Sequence, residues 1–159
     1  MTYMHTSGGR ADIGNYFASS DGNRNILSDS CPHAGRHVML VQHNGIELCV
    51  VEQMLRALGC CVTTASEVGQ AMLHFIRDRH DLIVSELDLP GLSGFQLAQR
   101  IKIHALDTRI VLLTARCQAE VAACMNTRVV DGWLFKPFRL QALGEMLRKL
   151  AFSDTYAEC

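Results

Sequence analysis

The sequence predicts one α/β domain: a doubly wound parallel sheet of five strands with five helices. From His37 onward, short aliphatic runs alternate with longer amphipathic stretches, the pattern of repeated β/α units. The third and fourth runs are nearly continuous Val, Ile and Leu, as expected of strands covered on both faces. The first run is His37–Val41, and Ile46, Val50, Met54 and Leu58 follow at helical spacing until Gly59 closes that helix. Cys61–Ala65 is the second run, with Ala71 and Phe75 marking the second helix. Residues 81–86 make the third run, and Pro90-Gly91 interrupts the path to a helix marked by Leu97 and Ile101. Arg109–Thr114 is the fourth run, followed by a helix over about 118–125 that carries few charges. The fifth run, 129–135, leads to Leu140, Leu143, Leu147 and Leu150, a helical stripe that ends near Ala151.

Composition limits the function classes. With 15 Lys plus Arg against 16 Asp plus Glu, a net charge of −1 and a pI near 6.6, the chain has no electrostatic footprint for nucleic acid. No apolar run approaches the roughly 20 residues that span a bilayer, and no signal peptide is visible, so a cytoplasmic location is expected. Seven cysteines, an odd count without Cys-x-x-Cys, read as reduced, mostly core-forming thiols. Residues 1–36 contain only 12 apolar residues and 13 Gly, Ser or Asn, so they read as a flexible extension to the domain at 37–151. Residues 152–159 form a short tail.

Right-handed crossovers put function at the carboxyl ends of the strands. There stand Gln42, His43 and Asn44, then Glu86 and Asp88, then Thr114 and Ala115, then Lys136 and Pro137. Five motifs in order, Leu40-Val41-Gln42-His43-Asn44, the segment 81–91 ending in Leu89-Pro90-Gly91, Gly94-Phe95-Gln96-Leu97, Val111-Leu112-Leu113-Thr114-Ala115 and Phe135-Lys136-Pro137-Phe138, resemble the receiver domain of bacterial two-component response regulators. The resemblance covers about 37–151 and is similar in flavour to the receivers of hybrid sensor kinases. It implies a CheY-like, flavodoxin-like strand order 2-1-3-4-5.

In that family an Asp ends the third strand and accepts a phosphoryl group, while two acids after the first strand help to hold Mg²⁺. Here Glu86 takes the acceptor position and Gln42 with His43 replaces the acidic pair. Gln42 could offer a carbonyl oxygen, but His43 suits a hard cation poorly, so Mg²⁺ binding is expected to be weak at most and no cofactor is implied. No G-x-G-x-x-G loop follows the first strand, so a cofactor-binding doubly wound domain, for example for flavin or haem, lacks support. The resemblance assigns the switch hydroxyl to Thr114 and the pocket cation to Lys136, with Asp88 nearby. The longer carboxylate of Glu86 could reach Lys136 and Thr114 without phosphate.

Trp133 stands where the family has its switch aromatic. With Ala119, Ala122 and Met125 it is expected to form the interaction face, the first helix being the competing surface with Glu47, Glu52 and Arg56. The reading is an atypical pseudo-receiver in phosphorelay signalling, a protein-interaction module rather than an enzyme. Its partners would be a histidine kinase, a response regulator, another output protein or a second copy, not nucleic acid or membrane. The alternative is a receiver still phosphorylated at Glu86 or Asp88.

Overall fold

The computed structural model describes residues 35–125 and 128–151. The expected extension and tail therefore lie outside the described residues, apart from Gly35 and Arg36. Among the described residues strands and helices alternate: β1 (His37–Val41), α1 (Gly45–Ala57), β2 (Cys61–Ala65), α2 (Val68–Arg77), β3 (Leu82–Glu86), α3 (Gly94–His104), β4 (Arg109–Thr114), α4 (Gln118–Met125), β5 (Gly132–Phe135) and α5 (Leu140–Ala151). All five strands are parallel, in the order β2-β1-β3-β4-β5. Among the described residues no helix is long and apolar enough to cross a membrane.

The two-residue period of the strands sorts the core into two layers. Met39, Val41, Ile83, Ile110 and Leu112 pack with Ala71 of α2, Leu97 and Ile101 of α3 and Val121 of α4. Val38, Leu40, Leu82, Val84, Val111, Leu113 and Leu134 pack with Val51 and Leu55 of α1 and Leu143, Leu147 and Leu150 of α5. Strands buried on both faces explain why the runs read as continuous rather than alternating.

Two details differ from the sequence expectation. In α1 the face turned to the sheet is Val51 and Leu55, whereas Ile46 and Val50 of the periodic stripe are 78% and 50% exposed. A stripe of apolar residues at i and i+4 marks a helix but does not say which stripe is buried when two exist. The fifth strand starts at Gly132 instead of 129; just before it, Asp131 donates its N–H to the Ile110 carbonyl (2.8 Å), and its carboxylate accepts from Lys102 Nζ (3.0 Å) and from the Ile110 N–H (2.8 Å).

Candidate functional site

β1, β3 and β5 end together at the carboxyl edge of the sheet, and the same period that sorts the core aims their last side chains. Positions 42, 86 and 136 share the parity of Leu40, Val84 and Leu134, so Gln42, Glu86 and Lys136 lie on the α1 side. Asn44 caps α1 there: its Oδ1 accepts from the N–H groups of Ile46 (3.0 Å) and Glu47 (3.2 Å). The cap sets Glu47 in the first helical turn over the strand ends.

Four side chains then close a ring. Lys136 Nζ donates to Glu86 Oε2 and, at 2.5 Å, to Glu47 Oε2. Gln42 Nε2 donates to the same two atoms, at 2.8 Å to Glu47 and 3.0 Å to Glu86. Gln42 is fully buried and Glu86 nearly so. Burial alone would lower the Lys136 pKa, but the hydrogen bonds and charges of Glu47 and Glu86 outweigh it and hold the pKa above its ordinary value. Two carboxylates and one ammonium leave the ring with one net negative charge.

Gln42 faces the pocket with its NH₂ group, since Oε1 already accepts from the Asn44 N–H at 3.1 Å. The expectation that it offers a carbonyl oxygen to a cation is therefore corrected: the orientation is set by partners on both ends of the amide. As a donor set for the Mg²⁺ ion that the family resemblance implies, the residues do not fit. An ammonium and an amide NH₂ group occupy the near edges of both carboxylates, and a hard dication needs oxygen there. His43 is exposed.

Thr114 is fully buried, and its Oγ1 accepts from the Arg116 N–H at 3.0 Å. It shares the parity of Ile110 and Leu112, which pack on the opposite face of the sheet from Glu86, so Glu86 bonds Lys136 and not Thr114. Asp88 turns away as well. Its carboxylate is exposed and clamped by Arg116, Nε at 3.0 Å and the second guanidinium nitrogen at 2.5 Å. Glu86 Oε1 stands 3.5 Å from the Asp88 N–H, a weak contact.

Of the expected face, Ala119 and Ala122 are exposed, while Met125 and Trp133 are half-buried against the core. The large exposed apolar side chains nearest the pocket are instead Ile46 and Val50 of α1, beside Phe138 in a shallow groove that reaches Lys136. Glu47 is the site residue that the strand-end reading missed. Its signal was available: an acid in the first turn after an Asn cap points toward the strand ends, since each helix starts where its strand finishes.

A family model for the response regulator receiver domain matches residues 38–148. The virulence sensor protein BvgS of Bordetella pertussis is 30% identical over 128 residues, covering 76% of this chain and 10% of that protein. The autoinducer 1 sensor kinase/phosphatase LuxN of Vibrio campbellii is 31% identical over 110 residues, covering 69% of this chain and 13% of that protein. The chain thus spans about a tenth of the length of these curated relatives. Among solved structures, the receiver domain of a sensor histidine kinase from Pseudomonas aeruginosa PAO1, described with a magnesium ion coordinated in its active site cleft, is 30% identical with a TM-score of 0.68. That match covers 75% of this chain and 99% of that one. The chemotaxis response regulator CheY4 of Vibrio cholerae has the same fold at 24% identity and a TM-score of 0.68, covering 74% and 99%.

Proposed function

The chain belongs to the response regulator receiver domain family, and on that premise we propose that it is a pseudo-receiver of two-component signalling. It acts by binding other signalling proteins, without conventional aspartyl phosphorylation, catalytic turnover or a cofactor. The observation that carries this reading is the bond between Lys136 and Glu86. In the family the pocket cation answers to the phosphorylated acceptor; here a longer carboxylate engages it with no phosphoryl group. Glu47 and Gln42 use the remaining capacity of the pair. An incoming phosphoryl donor would have to break this ring and would find Lys136 already engaged by two carboxylates. The domain is therefore held in one state, and its partners, a histidine kinase, another response regulator or an output protein, recognise that state by surface complementarity.

Intact mass after incubation with acetyl phosphate and Mg²⁺ tests the reading. The expected result is no phosphoryl adduct. A major adduct that disappears in Glu86→Gln or in Asp88→Asn would overturn it and establish a receiver with an unusual acceptor.

A further inference from the structure

The amide of Gln42 has one orientation that satisfies all its neighbours. Oε1 takes the Asn44 N–H, and Nε2 gives its two hydrogens to Glu47 Oε2 and Glu86 Oε2. Turned over, it would set an oxygen against two carboxylate oxygens and an NH₂ against an N–H donor. Asn44 is held in turn by its capping bonds to α1, so the arrangement is built into the start of the helix.

Its distances fit a different ligand. In an octahedral Mg²⁺ complex with metal–oxygen bonds of about 2.1 Å, adjacent ligand oxygens stand about 3.0 Å apart. Gln42 Nε2 lies 2.8 Å and 3.0 Å from the two carboxylate oxygens. An oxygen in place of that nitrogen would stand at this ligand-to-ligand spacing from each of the Glu47 and Glu86 oxygens. The nitrogen closes this arrangement to a cation, because its hydrogens occupy the lone pairs a cation would use. Lys136 supplies positive charge to the same two atoms.

We infer that Gln42 is a specificity-determining residue that selects the internal ammonium of Lys136 over a divalent cation, and that Glu47 is the second carboxylate of the cation site that Gln42 closes. This deepens the pseudo-receiver reading and rests on it. Glu47 comes from the first turn of α1, apart from the strand-end acids on which the family resemblance was built.

The test is Mn²⁺ binding to the full chain, read by the electron paramagnetic resonance of free Mn²⁺ and by the rise in melting temperature on adding the ion. Gln42→Glu, which keeps length and exchanges NH₂ for O, should bind Mn²⁺ about tenfold or more tightly than the wild type. Gln42→Glu combined with Glu47→Gln should lose most of that gain. Gln42→Asp serves the same purpose if the longer acid fails to fold. Equal affinity in the wild type and in the acid variants overturns the role of Gln42; undiminished binding in the double variant overturns the role of Glu47. If the wild type is phosphorylated by acetyl phosphate, the functional reading fails whatever these variants do. An unphosphorylated wild type with unimproved acid variants defeats this inference alone.

Discussion

The side chain of Lys136 is one-fifth exposed, and its ammonium lies between carboxylates from two elements, Glu47 of α1 and Glu86 of β3. Breaking such a pair from one side leaves the other charge buried without compensation. Lys136→Met should therefore cost about 2–4 kcal/mol in urea unfolding, and adding Glu86→Gln should recover part of it, because the orphaned charge is then gone. The folded-state pKa of Lys136 is raised, so its contribution is fully present below the ordinary value of 10.5 and is lost as pH rises through the folded value. The stability gap between wild type and Lys136→Met should accordingly hold at neutral pH and close only in strong base. His80 behaves in the opposite sense. Burial lowers its pKa from 6.5, and Asp78 only partly opposes that, while His74 and His37 reinforce it. Its Nδ1 is buried with no hydrogen-bond partner among the described residues. Stability linked to neutral His80 is present above 6.5 and is lost as pH falls through 6.5 toward the lower folded value. Melting curves at pH 7.5 and 5.5 should show a larger drop for wild type than for His80→Gln.

The β3–α3 connection illustrates how one helix start positions Glu86. Gly94 begins α3 directly against the backbone carbonyl of Glu86, and a Cβ built there would overlap that oxygen and crowd Ser85 Oγ. Ser93 and Gln96 lock the turn with a reciprocal capping box. On helix propensity alone, Gly→Ala stabilises by about 1 kcal/mol. At Gly94 the obstacle is backbone and cannot swing aside, so Gly94→Ala should instead destabilise by about 2–3 kcal/mol and displace Glu86. Chemical denaturation supplies the magnitude. A change in the titration of Lys136, followed by nitrogen-15 NMR, would show that the displacement reaches the ring.

For the partner binding proposed above, α4 and α1 present different surfaces. On one side, α4 exposes Ala119 and Ala122, whose single methyl groups carry little area. On the other, Ile46 and Val50 of α1 are exposed branched side chains in the groove that reaches Lys136, and exposed Leu140 of α5 lines an adjoining groove with Val50. Apolar area removed from water contributes about 25 cal/mol per Å², so a partner gains more by covering α1. Retention of a two-component partner kinase on immobilised chain should fall more for Val50→Arg than for Ala122→Arg. The reverse ranking would put the contact on the α4 side, where Trp133 lies half-buried.

Strand runs, helical stripes and the order of motifs were legible because backbone geometry imposes periods of 2 and 3.6 on any segment that must bury one or both faces. That local rule placed Gln42, Glu86, Thr114 and Lys136 at one edge of one sheet, and the structure has them there. The cap and first turn of α1 put Glu47 near that edge, but its bond to Lys136, 89 positions away in the chain, depends on how α1 packs beside the end of β5. The local rule could not choose the stripe of α1 that faces the core, the turn of the Gln42 amide, or the diversion of Asp88 to Arg116. Long polar side chains have many rotamers of similar energy, and the one adopted is selected by the partners that tertiary packing brings within hydrogen-bonding distance.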